Sequence, residues 1–157
     1  GVFVDAQNMY HSAKNLFHAK VNFMKILEDA VGGRKLIRSF VYVIETESGD
    51  ERAFLEALEK GGYEIKKKDL QIFAGGSKKA DWDVGMAMDA VILADKIDVA
   101  VIVTGDGDFI PLVEYLRINK GVKTEAMSFG RSTSNKLKES VDVFTDLEQD
   151  SKKYLIK

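Results

Sequence analysis

The chain alternates between short apolar runs and stretches whose apolar residues recur at helical spacing. Apolar runs rich in β-branched and aromatic residues predict strands over 2–5, 36–44, 63–70, 98–103 and 122–127, with a short strand near Val143-Phe144. Helical spacing predicts helices over 8–16, 23–31, 50–60, 82–93, 109–119 and 133–139. Glycine pairs follow two of these helices, at Gly32-Gly33 and Gly61-Gly62, where helices commonly end.

Strands and helices that alternate with short connections predict a mostly parallel sheet flanked by helices, an α/β fold. If the chain winds outward over three strands and then crosses back beside the first, the strand order is 3-2-1-4-5. The third strand is rich in lysine, which suits a sheet edge because lysines discourage edge-to-edge pairing. Ala74-Gly75-Gly76-Ser77 predicts a loop. The helix over 82–93 carries four apolar residues on one face: Val84, Met88, Val91 and Ile92.

Composition predicts one domain, over residues 1–147, followed by a C-terminal tail over 148–157. With 157 residues, 45% of them hydrophobic, the chain is long enough to bury a layered core but leaves little room for a second domain. No apolar stretch approaches a membrane span of roughly 18 residues, so we expect a cytoplasmic protein without a membrane partner. Because there is no cysteine and only two histidines, His11 and His18, any bound metal should be held by oxygen.

The net charge of −2 argues against a broad basic surface for nucleic acid. Local basic groups occur at Lys66-Lys67-Lys68, Lys78-Lys79 and Arg131, although surface lysines are more often ordinary solvated side chains. If RNA binds, its positive surroundings must be local or assembled between two subunits, which favours a homodimer.

Aspartates follow two apolar strands that we expect to be neighbours. Asp106 and Asp108 come directly after strand 98–103, and Asp5 ends strand 2–5. Open α/β sheets keep their active sites beyond the carboxyl ends of the strands, at the point where the strand order reverses. The predicted order places that point between these two strands, so the three carboxylates should converge.

Further oxygen ligands lie at the same edge. Asp83 begins a predicted helix, and Asn8 lies in the first turn after strand one. Asp89 is a weaker member, because six residues beyond Asp83 it sits about 120° away around the helix. Gly105 and Gly107 permit backbone conformations that would aim the two acids after the fourth strand at one opening.

Clustered carboxylates indicate a divalent cation site. Mg²⁺ and Mn²⁺ prefer carboxylate, amide and water oxygens, and near a phosphodiester they activate water and stabilise the developing charge. The pattern therefore predicts metal-dependent phosphodiester hydrolysis, and without metal the acids should repel and their pKa values rise. The alternative is that each aspartate only caps a helix, which for Asp108 or Asp83 alone is at least as good an explanation. Four such residues at one edge favour the metal site.

Four segments, in this order, carry a family resemblance: FVDAQNMY at 3–10, KADWDVGMAMD at 79–89, VTGDGDFIPL at 103–112, and SFGRSTSNKL at 128–137 followed by VDVF at 141–144. They resemble the NYN domains of the PIN-like nuclease superfamily, in particular the LabA-like (DUF88) group. Ala6 departs from the pattern, since many relatives have glycine after the first aspartate.

The resemblance implies a PIN-like three-layer α/β/α sandwich with an acidic pocket that binds Mg²⁺ or Mn²⁺ for RNA cleavage. By position it makes four acids catalytic and metal-binding: Asp5, Asp83, Asp106 and Asp108. It adds Asn8 and Asp89 as secondary pocket residues. The expected function is a metal-dependent endoribonuclease, and the alternative is an RNA-binding or regulatory module of the same fold without turnover. A phosphatase or nucleotide-binding protein ranks last, because no glycine-rich phosphate loop follows the first strand.

Some residues outside the acidic cluster are candidates for RNA contact: Ser132, Ser134, Arg131 and Lys79. Hydroxyls and amides at a helix start can bind phosphate, although an ordinary N-cap of the helix over 133–139 explains the serines, and Thr133 between them, at least as well. Trp82 either stacks on a base or packs against the sheet.

Overall fold

The computed structural model describes residues 1–45, 51–69, 71–72, 78–79 and 81–156, without the side chains of 71–72 and 78–79. Its strands are β1 Val2–Asp5, β2 Lys20–Val21, β3 Ser39–Glu45, β4 Glu64–Asp69, β5 Gln71–Ile72, β6 Lys78–Lys79, β7 Val99–Val103, β8 Lys123–Ser128, β9 Val143–Asp146 and β10 Leu155–Ile156. Its α-helices are α1 Ala6–Phe17, α2 Phe23–Val31, α3 Arg52–Lys60, α4 Asp83–Leu93, α5 Ile110–Lys120, α6 Asn135–Ser140 and α7 Ser151–Tyr154. Every strand and helix predicted above is present, and the loop predicted over 74–77 lies outside the described residues.

Six strands form one parallel sheet in the order β4-β3-β1-β7-β8-β9. The five predicted strands keep the order 3-2-1-4-5, and the only difference in detail is that β9 joins as a sixth strand at the edge. The lysine-rich β4 is the other edge, as predicted. β1 pairs with both β3 and β7, so the strand order reverses between β1 and β7.

Two apolar layers cover the sheet, one on each face. Successive side chains of a strand point to opposite faces, so Phe3 and Val4 of β1 enter different clusters. Val4 packs with Met9 of α1, and Phe3 packs in the cluster that contains Leu116 of α5. Helices on both faces of the sheet make the three-layer α/β/α sandwich that was expected.

Helix α4 does not pack against the sheet through the apolar face predicted from the sequence. The residues that it buries are Met86, Ala90 and Leu93. Three of the four residues singled out in the sequence, Val84, Met88 and Ile92, lie on the exposed side. No helix in the described residues is long and apolar enough to cross a membrane.

The chain after β9 folds back against α2. A 3₁₀ turn and α7 lead to β10, which pairs antiparallel with β2. Tyr154 is buried, its hydroxyl donates to the Asp29 carboxylate at 2.6 Å, and its carbonyl accepts the Asn22 N–H at 2.8 Å. The domain boundary after residue 147 stays a prediction, and Tyr154 offers a direct test of how far the segment beyond it supports the fold.

Replacing Tyr154 with Ala is expected to lower the free energy of unfolding by about 3 kcal/mol, because it removes a buried ring and leaves Asp29 without the hydroxyl donor. Urea denaturation of both proteins measures the difference. Lys152→Ala changes an exposed side chain of the same helix and should stay within about 0.5 kcal/mol. Equal effects of the two substitutions would contradict a structural role for Tyr154.

Candidate metal centre

Asp5 lies where β1 ends and α1 begins, on the floor of the site. Its Oδ1 accepts the backbone N–H of Asn8 at 3.2 Å and so caps the helix. Its Oδ2 accepts the hydroxyl of Thr104, the first residue after β7, at 3.1 Å. Only 8% of Asp5 is exposed. The two hydrogen bonds therefore fix a carboxylate that is almost fully buried.

Asn8 joins the same two segments a second time. Its side-chain oxygen accepts the N–H of Gly105 at 3.0 Å. The Thr104 hydroxyl oxygen then accepts the N–H of Asp106 at 3.2 Å. The turn that carries the acids after β7 is therefore fixed to the start of α1 by side chains of α1 and its cap.

The aspartates divide between capping and free roles. Asp106 caps the 3₁₀ turn Gly107–Phe109 by accepting the N–H of Asp108 at 2.9 Å. At the start of α4, Asp81 accepts the N–H of Asp83 at 3.2 Å. Asp81 thus binds the backbone at the first residue of α4, whereas Asp108 and Asp83 donate their own N–H groups to other acids and cap neither element.

The glycines of the turn are needed for space rather than for an unusual backbone. The expectation that Gly105 and Gly107 are needed for special backbone conformations was wrong. Among the described residues, the glycines with positive φ are 32, 33, 62 and 121. A Cβ on Gly105 would lie 2.7 Å from the Ser132 carbonyl oxygen, and one on Gly107 would lie 2.9 Å from the Ser134 hydroxyl. Glycine therefore lets the 130–134 segment pack directly against the acidic turn.

Asp83, Asp106 and Asp108 meet in the lining of a cavity of about 470 Å³. Each offers one carboxylate oxygen, and the three atoms lie within 4.8 Å of one another. The cavity is lined by Asp5, Gln7, Asn8, His11, Ser12, Asn15, Leu16, Asp81, Asp83, Asp106, Asp108 and Ser132. Asp5 lines the same cavity but is outside the group of three.

Asp89 is directed elsewhere. Its carboxylate accepts the Tyr42 hydroxyl at 2.8 Å and lies 3.9 Å from the Lys66 ammonium group. It is not among the residues that line the cavity in the described part of the chain. The helical offset of Asp89 from Asp83, noted in the sequence, accounts for this placement.

Burial and mutual repulsion raise the pKa of two of the acids. Burial, followed by the charges of Asp106, Asp81, Asp5 and Asp108, raises the pKa of Asp83 to about 6. Burial also raises the pKa of Asp5, against the opposing effect of its hydrogen bonds from Asn8 and Thr104. The rise in pKa that we expected for clustered carboxylates without a cation is therefore present at Asp5 and Asp83.

The donor set fits Mg²⁺ or Mn²⁺ in chemistry and in size. Oxygen ligands lie about 2.1 Å from Mg²⁺, so two on opposite sides of the ion are about 4.2 Å apart. One carboxylate oxygen each from Asp83, Asp106 and Asp108 lies within 4.8 Å of the other two, close enough for one ion to bind all three after small side-chain movements. Three carboxylates leave the remaining positions of an octahedron for water or substrate oxygens.

Of the four residues proposed for RNA contact, Ser132 is the one that lines the cavity in the described part of the chain. Ser134 caps α6 by accepting the Leu137 N–H at 3.3 Å, which is the alternative explanation given above. Arg131 pairs with Glu148 at 2.9 Å. The side chain of Lys79 lies outside the described residues.

Trp82, considered for base stacking, packs on the sheet. Its indole N–H donates to the Val43 carbonyl at 2.9 Å, and its ring lies 5.4 Å from that of Tyr42, centre to centre. The Lys68 ammonium group lies 4.4 Å from its ring centre. Packing, the second explanation given above, accounts for this tryptophan.

Comparison with known proteins identifies the family of this chain. The NYN domain family model matches residues 1–148. The chain belongs to the NYN domain family. It is 24% identical over 157 aligned positions to the low amplitude and bright protein LabA of Synechococcus elongatus, with 93% of this chain and 82% of LabA covered. A crystal structure of VPA0982, a protein of unknown function from Vibrio parahaemolyticus, superposes with a TM-score of 0.89 at 28% identity, covering 99% of this chain and 94% of that one.

Sequence reasoning identified Asn8 but missed the rest of the polar face that α1 of this NYN domain presents to the cavity, which is formed by His11, Ser12 and Asn15. Their spacing of three, four and seven residues from Asn8 is the helical repeat, so the signal was present in the sequence. Thr104 was missed too, and no local pattern marks a hydroxyl whose partner lies 99 residues away.

Replacing Asp83 with Asn is expected to stabilise the metal-free protein at about pH 8 by about 1–2 kcal/mol, because it removes a repelled charge that solvent screens only in part. A carboxyl whose pKa rises on folding binds its proton more tightly in the native state, so its unfavourable effect develops as pH rises from about 4 to 6. The gain should vanish near pH 4. Urea denaturation in EDTA at both pH values measures it.

Asp98→Asn, immediately before β7 and exposed, is the matched control and should change stability by no more than about 0.5 kcal/mol. Added Mn²⁺ should stabilise the unmodified protein more than Asp83→Asn, because the substitution removes one of three carboxylates. An Asp83→Asn protein no more stable than the unmodified one at pH 8 would contradict the repulsion.

Proposed function

We propose that this protein is a metal-dependent endoribonuclease that hydrolyses RNA phosphodiester bonds. The observation that carries the proposal is the convergence of Asp83, Asp106 and Asp108 within 4.8 Å, at the carboxyl ends of parallel strands in a NYN domain. Three oxygens at that spacing suit one hard divalent cation, and a fourth acid, Asp5, lies in the same cavity.

Asp83, Asp106 and Asp108 would hold Mg²⁺ or Mn²⁺. Such an ion supplies an activated water and neutralises charge that grows on the phosphate oxygens. Asp106 contributes twice, since its carboxylate also fixes the turn that presents Asp108. Asp5 adds negative charge behind the three and positions the turn through Thr104. We retain Asp5 in the proposed catalytic set on that basis.

The polar face of α1 would bind RNA beside the acids. Amide side chains such as Asn15 can donate to phosphate or to base edges, and His11 lies on the same wall. Ser132, which also lines the cavity, would contribute its hydroxyl oxygen as an acceptor. We propose that the protein acts on RNA in the cytoplasm.

The test uses a circular single-stranded RNA, which has no ends and is opened only by internal cleavage. The purified protein with Mg²⁺ or Mn²⁺ is expected to linearise it, and EDTA to abolish the reaction. Asp106→Asn keeps an oxygen for the cap but loses a charged ligand, so its rate should fall at least about a hundredfold. Product formation is followed on denaturing gels.

Asp98→Asn, purified in parallel, controls for unspecific effects of a substitution and should cleave like the unmodified protein, whereas the loss of cleavage in Asp106→Asn excludes a contaminating nuclease. Cleavage that survives EDTA, or that Asp106→Asn leaves unchanged, would contradict the proposal. Binding of metal and RNA without any cleavage would instead support the alternative, an RNA-binding module that retains the pocket.

A further inference from the structure

Helix α4 is apolar on nearly every side. Within Asp83–Leu93 the only charged residues are Asp83 and Asp89. Asp83 lines the cavity, and Asp89 accepts the Tyr42 hydroxyl. No charged residue is left for the side that faces away from the sheet. A helix with this composition is normally covered all round, by its own domain or by a neighbour.

The uncovered side forms a continuous stripe. Val84, Met88 and Ile92 are 75%, 52% and 68% exposed, and their four-residue spacing extends about 12 Å along the helix. Ile118 on the neighbouring α5 is 77% exposed. A pair between Asp95 and Lys120 at 3.1 Å joins the ends of the two helices, so Ile118 lies at the level of Ile92.

Exposed apolar residues that are scattered singly need no explanation, but four on two adjacent helices mark an interaction surface. We name Val84, Met88, Ile92 and Ile118 the α4 face. We propose that the α4 face is the interface of a two-fold symmetric homodimer, with α4 antiparallel to α4 of a second copy and Met88 at the axis. This proposal does not depend on nuclease activity.

Symmetry makes the stripe complementary to itself. In a two-fold interface each surface meets an identical one, so residues equally far from the axis on opposite sides face each other. With Met88 at the axis, Val84 of one copy faces Ile92 of the other, since each lies four residues from Met88. The result is an uninterrupted apolar seam, which is the composition found at the centre of stable interfaces.

Charge at the two ends of the stripe fits the antiparallel arrangement. Asp81 lies seven residues before Met88 and lines the acidic cavity, whereas Lys96 lies eight residues after it and is exposed. Lys96 forms no ion pair among the residues that the structure describes. The two-fold arrangement brings Lys96 of each copy toward Asp81 of the other, whereas a parallel arrangement would place like charges together.

The area available is adequate only if both helices take part. A stable interface buries about 800 Å² on each partner. The 11 residues of α4 extend about 16 Å and supply the apolar centre. Helix α5, with Ile118 on its outer side, supplies the adjoining area, which is why a second copy rather than a single short peptide fits the α4 face.

The experiment is sedimentation velocity over a wide range of concentration. The unmodified protein is expected to reach twice its chain mass of 17.5 kDa as concentration rises. Met88→Glu and Met88→Lys should each remain monomeric, because each places two like charges at the axis. An equimolar mixture of these two variants should recover the dimer, because Glu then faces Lys across the axis.

Ile156→Glu is the matched control, since Ile156 is 50% exposed, close to Met88, but belongs to β10 rather than the α4 face. It should dimerise like the unmodified protein. Recovery in the mixture also shows that the two variants are folded. A monomer at every concentration overturns the proposal, as does a dimer that survives Met88→Glu or a mixture that stays monomeric.

Discussion

The hydrogen bonds from Asp5 and Asn8 to the turn after β7 are the constraint on which the site depends. They join residues separated by 99 and 97 positions in the chain. Parallel pairing of β1 with β7 brings these residues to one edge of the sheet but does not orient their side chains. The Asp5–Thr104 and Asn8–Gly105 bonds do, because together they fix the backbone from which Asp106 projects.

This scaffold holds carboxylates together against their repulsion. The pKa of Asp83 rises to about 6 because the chain keeps it half-buried beside Asp106, Asp81 and Asp5. A surface under no functional constraint would relax by moving such charges into water. The helix start and the capped turn prevent that movement, so part of the folding free energy of this NYN domain is used to keep an anionic cavity in place.

How far sequence predicts this molecule depends on whether a feature is local. The strands of the sheet were found because runs such as Val99–Val103 are apolar throughout, as strands buried on both faces must be. The two-residue β2 and β10 were not, since each exists only because the other lies beside it. Asp5, Asp106 and Asp108 were found by their position after strands and Asp83 by its position at a helix start. Which of them meet was not found, because that depends on side-chain hydrogen bonds such as those of Thr104 and Asn8.

Helix α4 shows the limit of periodicity most clearly. Its apolar residues form two apolar faces, and their spacing does not determine which of the two packs against the sheet. The structure buries the side with Met86 and small Ala90, which allows close approach to the strands, and leaves the larger stripe centred on Met88 outside. Since α4 also begins at Asp83, one short helix carries an acid of the cavity at its first residue and an uncovered apolar face along its length. A partner bound along that face would restrict movement of α4 and, through its first residue, the position of Asp83 relative to Asp106 and Asp108.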